Sequence, residues 1–346
     1  MFLNALTNRS TIALDIGRRE ARLLQLGFDG PAPAVLASAT LPCPVFARDG
    51  ALGEPASQGV AATLRALVSE SGFRGRACSL SLPSSAFLTD CAEFPITTGS
   101  DLSEAVAWDC ADRFRLDREE IQTGCLPTTA TTSGGTGEYL VIAIRKESAM
   151  RAVHLAASAG LQPVRLESAG LASLRAVWRR ARSLDGGARF AVLHMEDHRA
   201  MLAVLSEAGL HFHRSFAWSA GAEAMSGGSP IDGPIALSDA NTGQYLWRWN
   251  TLAEEVLHSF RRVERRQPGA WPTAIYVCGP AAIGAGLTES LTNVCGATAT
   301  SYGLDAGIDW NGVAASGEAV DSWSAAAGLA LADYPRKASP KNKEAA

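Results

Sequence analysis

The chain has 346 residues, of which 47% are hydrophobic and 19% are charged. This composition is typical of a globular protein with a sizeable core divided between roughly two domain-sized units. The net charge of -4 supplies no basic stripe that would neutralise phosphates, which excludes nucleic acid as an expected partner. The seven cysteines include no C-x-x-C pair, which argues against a zinc knuckle and predicts a reducing, cytoplasmic environment.

The sequence also lacks the features of a membrane-inserted chain. No apolar run reaches the roughly 18 residues that a membrane-spanning helix requires. Residues 1–10 do not contain the basic region and apolar region of a signal peptide. We therefore expect any association with a membrane to come through a partner.

The predicted first half begins with a meander of three apolar strands. The first strand ends in Asp15-Ile-Gly17, and aspartate and glycine are ordinary turn residues. Apolar residues at helical spacing predict helices over residues 60–71, 101–114 and 147–159. Strand patterns between and after these helices cover residues 77–82, 86–94, 119–126, 139–144 and 162–167.

The second half repeats the first in outline. Three strands are predicted over residues 189–195, 200–206 and 211–217, followed by a long helix over 246–266. A buried strand over 274–279 and helices over 283–294 and 322–332 complete the pattern. We expect an internally duplicated α/β protein with a cleft between its halves, which is where ligands usually bind.

Several short motifs follow one another along the chain. They are Asp15-Ile-Gly17, Leu82-Pro-Ser-Ser85, Phe94-Pro95, the segment 101–109, the segment 116–120, Ile144-Arg-Lys146 and the segment 158–167. In this order and spacing, over about residues 11–333, the chain resembles the PilM family of type IV pilus assembly proteins. More loosely it is similar to the cell-division protein FtsA and to the cytoplasmic part of the type II secretion GspL proteins.

The resemblance implies a duplicated actin-like (ribonuclease H-like) α/β fold with an inserted strand-and-helix subdomain. Residues 1–76 would form the first part of the core and residues 77–167 the inserted subdomain. Residues 168–188 would form a connecting helix. Residues 189–333 would form the second half, and the last helix of that half would return toward the first half. Residues 334–346 would be a disordered tail. We expect the inserted subdomain to pack beside the first meander and not across the cleft, with Trp108 buried by its helix.

In this fold, two hairpins bind the phosphates of ATP and a strand-end aspartate holds hydrated magnesium. The resemblance implies a nucleotide site made of Asp15, Gly17, Arg18, Arg19, Arg22 and Gly279. Arg18 and Arg19 stand where the family has hydroxyl residues. They either pair with phosphate or lie solvated in the turn, and the second explanation is the simpler.

The second phosphate hairpin departs from the family pattern. His194 replaces the aspartate that would help to hold magnesium, Glu196 replaces the turn glycine, and Ala200 replaces the phosphate-binding hydroxyl residue. A carboxylate at the glycine position directs negative charge toward a triphosphate and lowers its affinity. We therefore expect a partly degenerate site without a catalytic residue, in which binding of ATP with magnesium is weak or lost and ATPase activity is weak or absent.

These features favour a cytoplasmic scaffold of a type IV pilus or related secretion platform. We expect a partner protein to hold this scaffold at the periphery of the inner membrane. The resemblance implies that a groove beside the inserted subdomain binds the N-terminal cytoplasmic segment of a membrane-anchored PilN-like protein. The candidate contacts lie on the predicted helix 101–114; they are Asp101, Glu104, Asp109 and Arg113.

Two alternatives belong to other functional classes. An active ATPase or a sugar-kinase-like phosphotransferase of the same fold needs a catalytic carboxylate, for which Glu167 is the candidate. A metal-binding module would use His194, His198, His211 and His213, because the last two fall on one face of a strand. Unlinked histidines are the simpler explanation, and we expect no metal.

Overall fold

The computed structural model describes residues 8–43, 57–96, 100–129, 135–184, 188–197, 199–218, 242–280, 285–302, 307–310 and 320–334. The helices are α1 Ser57–Glu70, α2 Ser100–Phe114, α3 Lys146–Ser158, α4 Ala169–Leu184, α5 Thr242–Arg266, α6 Ala285–Cys295 and α7 Ser324–Leu331. Within these ranges, every helix is too short or too polar to cross a lipid bilayer. Residues 335–346 of the predicted tail lie outside the described residues.

The strands form three sheets. They are β1 Ile12–Ile16, β2 Glu20–Gly27, β3 Ala34–Pro42, β4 Ala77–Leu82, β5 Phe87–Pro95, β6 Ile121–Pro127, β7 Thr136–Arg145, β8 Gln162–Ser168, β9 Phe190–Met195, β10 Arg199–Ser206, β11 Gly209–Ala217, β12 Ala274–Cys278 and β13 Thr298–Ser301. The two larger sheets have the orders β3-β2-β1-β4-β8 and β11-β10-β9-β12-β13. Each is an antiparallel meander of three strands continued by two parallel strands, which confirms the predicted duplication.

Both faces of the first sheet are covered, which explains why β1 is apolar at almost every position. Leu14 packs on one side with buried residues of α1 and α3. Ala13 faces the other side, where α4 and α7 bury small residues against both large sheets. Helices α4 and α7 therefore join the two halves through one continuous core.

Close approach of α4 and α7 depends on one glycine. A Cβ atom added to Gly328 would lie 1.7 Å from the carbonyl oxygen of Ala172. The Oγ atoms of Ser173 and Ser324 also lie 2.9 Å apart, and Arg175 donates a hydrogen bond of 2.9 Å to the Gly328 carbonyl. The connection between the halves is thus a tightly packed, small-residue helix crossing.

The inserted unit is smaller than we predicted. Strands β4 and β8, which we assigned to it, extend the first sheet instead: the buried strand β4 pairs with β1, and β8 pairs with β4 at the edge of the sheet. The separate unit is the sheet β5-β7-β6, on which the predicted helix α2 packs with Val106 and Cys110 in its core.

Two expectations about this unit were wrong. Trp108 is 58% exposed. Each residue of an α-helix turns the chain by about 100°, so Trp108, two residues from both Val106 and Cys110, lies on the opposite side of α2 from these buried residues. The unit also reaches the second half: the Thr129 amide donates to the Leu210 carbonyl at 2.7 Å. The Arg266 guanidinium pairs with the buried Glu138 carboxylate at 2.8 Å across the same contact.

Candidate functional site

The two hairpins predicted to bind phosphate face each other across a small cavity between the halves. The cavity has a volume of about 160 Å³. Its lining comes from the first hairpin, the second hairpin and the ends of neighbouring elements; it includes Asp15, Gly17, Arg18, Arg19, Glu20, Arg22, Pro83, Ala169, His194, Glu196, Asp197, Pro280 and Ala325. The fold thus brings together the predicted residues of the two hairpins except Ala200.

Asp15 lies at the end of β1, buried to 6% exposure. The Ser81 hydroxyl on the adjacent strand β4 donates a hydrogen bond of 2.6 Å to its carboxylate. Burial raises the pKa of Asp15, while the Ser81 hydrogen bond and the charge of Arg22 act in the opposite direction. Arg22 is the partner of Asp15 in the β1-β2 register and pairs with the Glu20 carboxylate.

The first hairpin needs glycine at its turn. The Gly17 amide donates to the Glu20 carbonyl at 3.0 Å, and a Cβ atom on Gly17 would lie 2.7 Å from that oxygen. In the same turn, the Arg19 guanidinium pairs with the Asp197 carboxylate of the second hairpin at 3.2 Å. The Arg19 side chain is 80% exposed, so this ion pair contributes little free energy.

Glu196 occupies the gap between the hairpins. Its carboxylate accepts hydrogen bonds from the Ser84 amide at 2.8 and 3.1 Å and from the Ser84 hydroxyl at 2.8 Å. Ser84 begins a short 3-10 turn directly after β4, so the contact joins residues 112 positions apart in different halves.

His194 supports the same carboxylate. Its Nε2 atom lies 3.2 Å from Glu196 Oε1, and its Nδ1 atom lies 3.9 Å from the Cys278 sulfur. Burial opposes a charge on His194, but the hydrogen bonds with Cys278 and Glu196 raise its pKa. Burial likewise opposes a charge on Glu196, yet His194 and the Ser84 amide lower the Glu196 pKa. The two side chains form a buried ion pair.

Gly279 and Ala200 have structural explanations. Gly279 has a φ angle of 102°, and a Cβ atom there would lie 2.5 Å from the Met195 carbonyl oxygen. This close approach requires glycine after β12, independently of any nucleotide contact. Ala200 is fully buried in the core of the second half, where it pairs with Met195 in the β9-β10 register.

Between the described residues, the cavity is small for a nucleotide triphosphate with magnesium. Its volume of about 160 Å³ is below the roughly 300–1,000 Å³ of typical small-molecule pockets. Among the described residues of this lining, the positive charges of Arg18, Arg19 and Arg22 are offset by the carboxylates that line the same space.

The candidate catalytic carboxylate of the enzyme alternative lies elsewhere. Glu167 pairs with Arg175 at 2.6 Å and with Arg165 at 3.5 Å, and it is not part of the cavity lining. Cys278, although close to His194, is fully buried and also does not line the cavity. In this arrangement neither side chain is placed to attack a ligand.

The predicted histidine cluster divides into separate environments. His211 contacts the Thr129 hydroxyl at 2.6 Å and the Ser206 hydroxyl at 2.7 Å, whereas His194 contacts Glu196. His213 is buried, and its Nε2 atom has no hydrogen-bond partner among the described residues. His198 lies outside them. Within the described ranges, no three His, Cys, Asp or Glu side chains are grouped as metal ligands.

The predicted partner-binding residues lie on α2. Asp101 and Glu104 are exposed, and Glu104 is 3.6 Å from Arg118. Asp109 and Arg113 form an ion pair of 2.9 Å, and Arg113 also bonds Asp90 on β5. These two side chains therefore tie the helix to its sheet as well as facing solvent.

Sequence reasoning did not assign Ser81, Ser84 or Asp197 to the cleft. Ser81 and Ser84 lie at and after the end of β4, in the segment Ser81-Leu-Pro-Ser84. The alternation of small polar residues along β4 is the signal that points toward Ser81. Asp197 sits in the second hairpin beside Glu196, but nothing in the sequence links it to Arg19.

No family model matches the chain, and no curated protein matches its sequence. Among solved structures, a chain of the PilM-PilN type IV pilus biogenesis complex is 20% identical. The match covers 94% of this chain and 99% of that chain, with a TM-score of 0.74. The ethanolamine utilization protein EutJ from Carboxydothermus hydrogenoformans is 15% identical, over 93% of this chain and 89% of that chain, with a TM-score of 0.52.

The chain has the actin-like ATPase fold. Because the match with the PilM-PilN structure spans 94% of this chain, it takes in both halves and the inserted unit.

Proposed function

We propose that this chain is a cytoplasmic scaffold of a type IV pilus or related secretion platform, and that it works by binding a protein segment. The observation that carries this proposal is the extent of the fold match to the PilM-PilN complex, which reaches 99% of that chain. The inferred partner is the N-terminal cytoplasmic segment of a membrane-anchored PilN-like protein. Such a partner would hold the scaffold at the inner membrane.

The state of the cleft supports a binding role over a catalytic one. A cavity of about 160 Å³ with a buried carboxylate offers little room or attraction for a triphosphate. We infer that nucleotide binding is weak or lost and that the site is partly degenerate at His194, Glu196 and Ala200.

We place the partner in a groove beside the inserted unit, flanked by residues 77–120. Helix α2 presents Asp101 and Glu104 to solvent there. Trp108, which is 58% exposed, belongs to the same exposed surface, and the Arg118 guanidinium lies 4.7 Å from its ring centre. Exposed tryptophan is enriched among residues that dominate binding energy at protein interfaces.

The direct test is isothermal titration with a synthetic peptide from the N-terminal cytoplasmic segment of a membrane-anchored PilN-like protein. We expect micromolar affinity, about -8 kcal/mol, because a short peptide loses conformational entropy when it docks. Trp108→Ala and Asp101→Lys should each weaken binding about tenfold or more. Glu254→Lys, an equally exposed acidic position on α5, is the matched control and should bind like the parent.

A second control separates the groove from the cleft. Asp15→Ala changes the predicted magnesium aspartate and should leave peptide affinity unchanged. Peptide binding that depends on Asp15 but not on α2 would contradict the proposal and favour an actin-fold ATPase or phosphotransferase.

A further inference from the structure

The contact between Glu196 and Ser84 is unusual for its burial. The Glu196 side chain is 9% exposed, and Ser84 is 4% exposed. A buried carboxylate is costly unless it is paired and hydrogen-bonded. Here the Ser84 amide, the Ser84 hydroxyl and His194 supply those partners within 3.2 Å.

The donors around Glu196 belong to both halves. His194 and Glu196 come from the second hairpin, whereas Ser84 follows β4 of the first sheet. The Ser84 hydroxyl also accepts a hydrogen bond of 3.2 Å from the Gly170 amide at the start of α4. The carboxylate therefore connects the second hairpin to the first sheet and to the helix that joins the halves.

One buried donor in the same cavity lining has no hydrogen-bond partner among the described residues. The Arg22 side chain is 5% exposed and lines the cavity, and its Nε atom has no hydrogen-bond partner in the described part of the chain. A buried cationic side chain with an unused donor, in the same cavity lining as the Glu196 carboxylate, is suited to binding a small oxyanion.

We propose that the Glu196 carboxylate is a built-in anion that takes the place of a phosphate group and holds the two halves in one arrangement without nucleotide. This rests on the proposed function in one respect, since it treats the cleft as a site that no longer takes up nucleotide. Without the carboxylate, the Ser84 amide and hydroxyl, His194 and Arg22 form a site for a small oxyanion such as inorganic phosphate.

The test is amide hydrogen exchange of Ser84, followed by NMR in the full chain. Glu196→Ala removes the acceptor of this amide, so its exchange should accelerate at least about tenfold. Inorganic phosphate at about 10 mM should restore much of the protection in Glu196→Ala and change nothing in the parent. Glu147→Ala removes an exposed glutamate of an ion pair on α3 and is the matched control.

Glu196→Gln provides the test if the alanine variant does not fold. It keeps the size of the side chain but loses its charge, and charged hydrogen bonds are roughly twice as strong as neutral ones. Ser84 exchange should then accelerate severalfold. Unchanged Ser84 exchange in the folded variants would overturn the proposal, as would acceleration in Glu196→Ala that phosphate does not reverse.

The proposed function is tested separately. Failure of the partner peptide to bind the parent protein contradicts the scaffold role and leaves the Ser84 exchange result valid. Peptide binding together with unchanged Ser84 exchange in Glu196→Ala contradicts only the built-in anion.

Discussion

Substitution of Gly328 by alanine should separate the two helices that join the halves. The new Cβ atom would lie 1.7 Å from the Ala172 carbonyl oxygen, where contacts under 3.0 Å essentially never occur. Helices α4 and α7 must therefore move apart by at least 1.3 Å, the difference between these two distances. The clash involves backbone, so no change of rotamer relieves it.

The expected cost follows from two opposing contributions. Overpacking of a core costs about 1–3 kcal/mol, and a backbone clash belongs at the upper end of that range. Alanine is about 1 kcal/mol better than glycine within a helix, which offsets part of the cost. We expect a net loss of about 2 kcal/mol or more and a melting temperature lower by about 4 °C or more.

The assay is thermal and urea unfolding followed by circular dichroism. Gly59→Ala is the matched control, because Gly59 lies in α1 and a Cβ atom there would meet nothing within 4 Å. This variant should be as stable as the parent or more stable, by about 0.4–1 kcal/mol. If Gly328→Ala unfolds at or above the parental temperature, the tight crossing of α4 and α7 is refuted.

Three further measurements test the site and its surroundings. Phosphate release from ATP should stay near background in the parent; turnover that Asp15→Ala abolishes would contradict the degenerate cleft. Trp108→Ala should change the free energy of unfolding by less than about 1 kcal/mol, because the side chain is 58% exposed, and a larger loss in urea unfolding would contradict that exposure. Burial lowers the pKa of His213 from 6.5 to about 4, although Asp90 acts in the opposite direction. As the pH falls, His213 therefore takes up a proton in the unfolded protein before it does so in the folded protein. The stability that neutral, buried His213 allows is fully present above pH 6.5. It should be lost as the pH falls toward 4, by up to about 3 kcal/mol. His213→Gln should flatten urea-unfolding stability over that interval, and an unchanged pH profile would show that His213 is not buried as described.

Local patterns predicted the elements well, because helix and strand periodicities are properties of neighbouring residues. Helix α2 was expected over residues 101–114 and runs over Ser100–Phe114. The prediction that Trp108 lies on the buried face of α2 was wrong, although the helical angle between Trp108 and Val106 could be worked out from the sequence. Counting apolar residues on one side did not distinguish the buried stripe from an exposed tryptophan.

The sequence by itself determined the duplicated α/β plan and the hairpins with Asp15, Gly17, His194 and Glu196, since each depends on short runs of residues. Only the tertiary structure decided that β4 and β8 complete the first sheet, because strand pairing joins segments far apart in the chain. It also decided what Glu196 does. The sequence shows that a carboxylate stands in the second hairpin, but it does not show the partner of that carboxylate. Ser84 lies 112 residues away in the chain, and only the packing of the two halves brings its amide to 2.8 Å from Glu196.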